Sequence, residues 1–149
     1  MLVNDDDHIF LYEPSDYEMI SSWWEHHHHS AFVPPECLST YGMIACVKDL
    51  PAAAGWLYIG NSALGWMEWI VTNPRAPMKS RGLGLKYLLE RLCHEAQAFK
   101  LRSCFVSVKK KSLMRHYQRL GFFATETGMT NMVLNLCPSE PLQPLQSEP

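Results

Sequence analysis

Two glycines separated by one residue, Gly82 and Gly84, stand between a basic cluster and an apolar helical repeat in the segment APMKSRGLGLKYLLERL (76–92). The first amides of a helix have no partner within it, and together they carry roughly half a positive charge. Glycine has no Cβ, so a ligand can approach such amides closely, while Lys79 and Arg81 add positive charge. The spacing predicts a site for a diphosphate or, alternatively, a tight strand-to-helix turn without a ligand. The segment lacks both the G-K-[ST] of a Walker loop and the third glycine of a dinucleotide fingerprint.

A single charged residue, Glu68, interrupts the apolar and aromatic segment LGWMEWIVT (64–72). A carboxylic acid in apolar surroundings has a raised pKa, which suits a general base that works near neutral pH. The alternative interpretation is a solvent-facing glutamate on a strand that has two different faces.

The composition limits the class of protein that can present these groups. The chain has 149 residues, is 47% hydrophobic and carries a formal net charge of -2. These values predict one domain (1–137), followed by a flexible proline-rich tail (138–149). Near-neutral charge argues against nucleic acid or an acidic membrane as the partner. Five cysteines without a C-x-x-C spacing, and no apolar run that could span a bilayer, lead us to expect a cytoplasmic protein.

The first third of the chain is predicted to form a strand, a helix and a connection. The strand covers 8–13, and the S-D-Y-E sequence at 15–18 has the form of a capping box. Apolar residues at helical spacing then predict a helix that ends near His28, followed by a proline-containing connection over 29–39.

An antiparallel meander is predicted next, with strands at 41–48, 56–60 and 64–72 and with LPAAAG (50–55) as a turn. Two prolines then break the strand pattern. The helix that follows the glycines has one apolar stripe at intervals of three and four residues: Leu85, Leu88, Leu89, Leu92, Ala96 and Phe99.

The remaining elements are a strand at 103–108, a short helix capped by Ser112 and ended by Gly121, and a hairpin that turns at Thr127–Gly128. A strand, a helix and a strand in succession predict a parallel pair within the sheet. The fold class is therefore α/β (α+β), with a mixed sheet.

The segment K-S-R-G-L-G (79–84) resembles the R/Q-x-x-G-x-G/A motif of the GCN5-related N-acetyltransferase (GNAT) family, with Lys79 at the Arg or Gln position. The run HYQRLGF (116–122) is similar to that family's Tyr-x-x-x-Gly-Phe segment, and the order of elements matches over 9–136. The resemblance implies a mostly antiparallel sheet with a splayed parallel strand pair, flanked by helices.

The resemblance also implies acetyl-CoA as the cosubstrate, and no metal. Acetyl-CoA would lie where the strand that ends near Thr72 splays away from the strand that starts near Ser103. Its pantetheine arm would pair with the main chain of Ile70, Val71 and Thr72. Its diphosphate would meet the amides of Lys79, Ser80, Arg81, Gly82, Leu83, Gly84 and Leu85.

The implied reaction transfers an acetyl group to a primary amine by direct attack. A glutamate on the strand of Glu68 often serves as the base in the family, and Tyr117 falls at the position whose hydroxyl protonates the sulfur of CoA. The alternative for Tyr117 is a core tyrosine. An amide near Val71 would stabilise the oxyanion. The acceptor is a small-molecule or protein amine, and a homodimer is compatible with the sequence.

Two departures from the family pattern leave a second function open. The loop before the glycines has extra residues with Pro74 and Pro77, and a lysine run (109–111) replaces the asparagine often found before the last helix. A catalytically inactive module that binds CoA or a protein partner is therefore the alternative. The lysines could contact the 3′-phosphate of CoA or form a solvated surface.

The histidine run at 26–29 admits three interpretations: a metal site, a cationic end of the first helix, or part of the acceptor pocket. No cysteine or acidic cluster completes a tetrahedral metal site. Trp23, Trp24 and Phe32 would join the histidines in shaping the acceptor pocket, and the alternative for the tryptophans is the core.

Overall fold

The computed structural model describes residues 7–27 and 33–137. In chain order, its strands and helices are β1 (Asp7–Leu11), α1 (Tyr17–His26), β2 (Tyr41–Val47), β3 (Leu50–Ile59), β4 (Leu64–Thr72), α2 (Met78–Ala98), β5 (Ser103–Val106) and α3 (Lys111–Arg119). None of these helices combines the length and apolar character needed to cross a membrane.

The five strands form one sheet in the order β1-β2-β3-β4-β5. The first three pairings are antiparallel, and β4 pairs with β5 in parallel, with α2 as the connection between them. The structure confirms the predicted mixed sheet with one parallel pair.

Each face of the sheet carries its own core. On one face, the stripe of α2 packs with Tyr117 of α3 against Met43, Leu57 and Met67. On the other face, α1 packs against Trp56 and its neighbours. All predicted stripe residues are buried except Phe99, which follows the end of α2 and is 42% exposed. We call the side of the sheet that α1 covers the α1 face, and the side that α2 and α3 cover the α2/α3 face.

The segment 50–55 is strand rather than the predicted turn. The chain reverses at Lys48 and Asp49, whose φ values of 49° and 63° form a two-residue hairpin turn. The alanines at 52–54 are fully buried in β3. Alanine is a poor strand former, but here the small side chains let α2 lie close to the sheet, so packing overrides local propensity.

The caps of the two shorter helices differ from those predicted. Ser15 lies in a 3-10 turn (Pro14–Asp16), and the amide of Glu13 donates to Asp16 Oδ2 at 2.9 Å. Ser112 lies inside the first turn of α3, which begins at Lys111. In contrast, Gly121 has a φ of 99° and ends α3 as predicted.

The predicted C-terminal hairpin does not form in the part of the chain that the structure describes. Gly128 turns the chain with a φ of 72°, but no strand follows β5 up to residue 137. The segments on either side of this turn do not pair with each other or with the edge strand β5, and the apolar residues of 129–136 remain exposed. The hairpin prediction is therefore wrong. The predicted tail (138–149) lies outside the described residues.

Candidate active site

A β-bulge in β4 bends the strand next to Glu68. Trp69 has a φ of 61°, and the residues at 69 and 70 together stand opposite Gly55 of β3. A Cβ on Gly55 would overlap Ile70 Cδ1, so a larger residue at this position would have to displace the end of the Ile70 side chain. Bulges increase local twist and redirect side chains, and here the bulge redirects the second half of β4.

The parallel pair β4–β5 opens at the same point. β5 pairs with β4 only from Leu64 to Met67, and the last five residues of β4 (68–72) continue without it. The cleft predicted between the strand ending near Thr72 and the strand starting near Ser103 is therefore present.

Main-chain groups of β4 face this open edge. The amide of Asn73 donates to Ala52 O at 2.9 Å, and Ala53 stands opposite Thr72. Because antiparallel ladders alternate, the amide and carbonyl of Thr72 point into the cleft, and those of Val71 point towards β3. The sequence-based choice of an amide near Val71 as oxyanion donor is thus best met by Thr72.

Two side chains of α1, one turn apart, bind carbonyls of β4. Trp24 Nε1 donates to Trp69 O at 3.2 Å, and His27 Nε2 lies 3.0 Å from Thr72 O. A carbonyl can only accept, so this bond requires the proton of His27 on Nε2. The two contacts attach α1 to the bent half of β4, and they occupy the Thr72 carbonyl that the prediction assigned to pantetheine.

Glu68 and Tyr117 approach the opening from opposite faces of the sheet. Glu68 stands opposite Trp56, a core residue of the α1 face, whereas Tyr117 is 2% exposed in the core of the other face. Burial raises the pKa of the Glu68 carboxyl. Burial, followed by the nearby Glu68 carboxylate, raises the pKa of Tyr117. The structure therefore brings the predicted base and acid together where the strands have parted.

We expect Glu68→Gln to raise the melting temperature at pH 7–8. The folded state holds the Glu68 proton to higher pH than the unfolded chain does, so stability falls as pH rises through the window above the ordinary value of 4.5. Glutamine removes this loss, and the two melting curves should converge near pH 4. Thermal unfolding at several pH values checks this. A pH-independent difference would mean that desolvation of the carboxylate is not its cause.

The glycine pair lies inside α2 rather than at its mouth. The helix begins at Met78, and the amide of Arg81 already donates to Pro77 O at 2.9 Å. From Arg81 onward, including Gly82, Leu83, Gly84 and Leu85, the amides point along the helix to their own acceptors. Of the predicted diphosphate donors, Lys79 and Ser80 remain, and Met78 joins them as a donor that the sequence analysis missed.

Gly84 serves close packing of α2 on the sheet. A Cβ at Gly84 would lie 2.6 Å from the Cβ of Ala52, whereas a Cβ at Gly82 would meet nothing within 4 Å. We expect Gly84→Ala to destabilise the fold by about 1–3 kcal/mol because α2 must move away from β3. The matched variant Gly82→Ala should be neutral, or stabilising by up to about 1 kcal/mol. Urea unfolding of both variants tests this, and equal effects would contradict it.

Basic groups gather where α1, α2 and the start of α3 meet the end of β4. Arg81 Nε is buried and has no hydrogen-bond partner among the described residues. Burial, then the charges of Lys110, His26 and Arg81, lower the pKa of His27, against the opposing effect of its bond to Thr72. A partly exposed arginine whose Nε is buried and without a partner among the described residues, next to open helix amides, is suited to an anion. The sequence analysis places His27 in the cationic histidine run at the end of the first helix, but it does not predict the bond of His27 to Thr72.

Asn73 fixes the chain between β4 and α2, and the sequence analysis did not single it out. Its side-chain amide donates to Pro51 O at 2.7 Å, and its Oδ1 accepts from the amide of Arg75 at 2.9 Å. An Asn-Pro pair is a known turn signal, so the sequence could have indicated it. The turn holds Pro77 and the first amides of α2 at the end of the cleft.

The described residues contain no group of three or more His, Cys, Asp or Glu side chains that could hold a metal ion. His28, His29 and Phe32 lie outside the described residues. Trp23 and Trp24 are 4% and 2% exposed, so the structure places them in the core rather than on a pocket wall.

No family profile and no curated protein matches this chain. Solved structures match it in fold. An acetyltransferase from Trypanosoma brucei is 23% identical, with 88% of this chain and 100% of that chain covered, at a TM-score of 0.62. A Mycobacterium tuberculosis protein solved with CoA is 21% identical, with 83% of this chain and 76% of that chain covered, at a TM-score of 0.66. A Salmonella typhimurium protein solved with acetyl-CoA is 16% identical, with 82% of each covered, at 0.62.

All three matches have TM-scores above 0.5 at identities below 25%, so the similarity is one of fold. The chain has the fold of the GCN5-related N-acetyltransferases.

Proposed function

We propose that this protein is an N-acetyltransferase that transfers an acetyl group from acetyl-CoA to a primary amine by direct attack. One observation carries the proposal: a half-buried carboxyl and a buried phenol flank the opening between β4 and β5. The proposal is further supported by neighbours of the same fold that were solved with CoA or acetyl-CoA.

The residues at the end of the cleft fit the anionic part of acetyl-CoA. The open amides of 78–80 and the unpartnered Nε of Arg81 would hold the diphosphate. The pantetheine arm would lie along the main chain of 70–72 in β4. The lysines at 109–111 border the same region, and Lys110 is close enough to lower the pKa of His27.

Glu68 would take the proton that the amine loses as its nitrogen bonds to the acetyl carbon. Bound acetyl-CoA supplies that carbon as a thioester. Tyr117 is protonated at neutral pH, since even the ordinary tyrosine pKa of 10.0 lies well above 7 and burial raises the pKa further. It would give its proton to the sulfur as the carbon–sulfur bond breaks. The amide of Thr72 would donate to the acetyl oxygen while that oxygen carries negative charge.

The free state of all five cysteines supports a reducing, cytoplasmic location as part of the same proposal.

Calorimetric titration with CoA, combined with thiol release from acetyl-CoA in the presence of a panel of amines, tests the proposal. We expect both binding and amine-dependent thiol release. Binding without turnover of any amine would favour the inactive module, in which the lysine run in place of the usual asparagine marks a lost activity. Absence of CoA binding would overturn the enzyme and the CoA-binding module and leave only a module that binds a protein partner.

A further inference from the structure

An exposed aromatic pair lies beside the opening on the α1 face. The rings of Trp66 and Phe105 stack with centroids 5.7 Å apart and planes at 28°. They are 43% and 44% exposed, although stacked aromatic residues of a sheet are usually covered by a neighbouring layer. The two rings therefore form an apolar surface patch that is only partly covered by the described residues.

The register places the pair on the same face as Glu68. Trp66 stands opposite Tyr58 and Glu68 stands opposite Trp56, and both partners belong to the core of the α1 face. Cross-strand partners share a face of a sheet, so Trp66 and Glu68 project from β4 in the same direction. Phe105 stands beside Trp66 in the parallel register, and the strands separate one rung later, after Met67.

The spacing between the aromatic pair and the carboxyl suits a particular kind of molecule. Residues two apart on a strand are about 7 Å apart, which is close to the reach of an amine on a two-carbon linker from an aromatic ring. Tyr58 lines the space between them with a fixed hydroxyl, which donates to Cys37 O at 2.8 Å and accepts from Trp69 Nε1 at 3.0 Å.

We propose that the acceptor is a small primary amine carried on an aromatic ring, with the ring against Trp66 and Phe105 and the nitrogen at Glu68; this rests on the function proposed above. Charge complementarity supports it, since the arriving ammonium group meets the Glu68 carboxylate. The pair also lies on the face opposite Tyr117, where the amine must approach if the sulfur leaves towards that phenol. The products are an N-acetyl arylalkylamine and CoA.

Kinetics with 2-phenylethylamine, tryptamine and the aliphatic diamine putrescine test this proposal. We expect a KM for the arylalkylamines about tenfold below that for putrescine. Trp66→Ala and Phe105→Ala should each remove most of that preference by raising the KM for the arylalkylamines. Phe10→Ala is the matched control, because Phe10 is an exposed aromatic residue, 53% exposed, on the opposite edge strand β1.

A KM for putrescine equal to or lower than that for the aromatic amines would overturn the proposed class of acceptor. It would leave the acetyltransferase function intact. Preference for a peptide amine over all three small amines would also overturn it. If no amine is turned over, binding of 2-phenylethylamine followed by ligand-observed NMR decides the question. Saturation transfer that Trp66→Ala abolishes supports the site, and its absence from the wild-type protein refutes it.

Discussion

Glu68→Gln is expected to lower kcat/KM for amine acetylation by about 10²–10⁴-fold, the usual contribution of a general base. Glutamine keeps the shape of the side chain and its place beside the opening but cannot accept the proton of the amine. Burial raises the pKa of Glu68, so the wild-type protein should lose activity on acidification at a pH above the ordinary value of 4.5. Initial rates of thiol release between pH 5 and pH 9 measure this.

The pH profile separates the base from a merely structural role. Deprotonation of the free amine gives the same pH dependence of kcat/KM in the wild type and in Glu68→Gln. The additional loss of wild-type activity at low pH therefore reports the protonation of Glu68. Glu18→Gln, which changes an exposed glutamate of α1, should behave as the wild type. CoA affinity should be the same in all three proteins. A variant that keeps its activity and its acid limb would exclude Glu68 as the base.

Local patterns in the sequence were sufficient to predict the elements that position this site. The apolar run of β4 has its predicted bounds, and the stripe of α2 is buried as expected up to Ala96. The failures involve segments whose structure depends on distant partners. Ala52 to Ala54 form a strand because helices cover both of its faces, and the apolar residues of 129–136 form none, although β5 is an edge strand of the described sheet.

The two proposed catalytic residues stand out in the sequence because each is unusual within its own element. Glu68 is the charged residue of an apolar strand, and Tyr117 lies next to a glycine-ended helix turn. The bulge at Trp69 and the contact between His27 and Thr72 join positions 14 to 45 residues apart, and no local pattern encodes them. The glycine pair did not indicate where the helix starts, because α2 begins at Met78 and Gly84 packs against Ala52 of the sheet.

Arg81→Ala is expected to raise the dissociation constant for CoA by roughly 10- to 100-fold, which corresponds to one lost hydrogen bond between charged groups. The Nε of Arg81 is buried without a partner beside the open amides of α2, so it is oriented before a ligand arrives. Arg81→Lys keeps the charge but loses this nitrogen. Its dissociation constant for CoA should lie between those of the wild type and Arg81→Ala. Arg91→Ala is the control, since Arg91 lies further along α2 and pairs with Glu95 at 2.9 Å.

Calorimetry with CoA and with dephospho-CoA identifies the phosphate that Arg81 contacts. If Arg81 meets the diphosphate, as the open amides of 78–80 indicate, the substitution should weaken both ligands by the same factor. A loss of affinity for CoA but not for dephospho-CoA would mean that Arg81 contacts the 3′-phosphate and that main-chain donors bind the diphosphate. An unchanged affinity for both would mean that this end of the cleft does not bind the nucleotide. In that case, the buried Nε of Arg81 would need a ligand other than a phosphate as its partner.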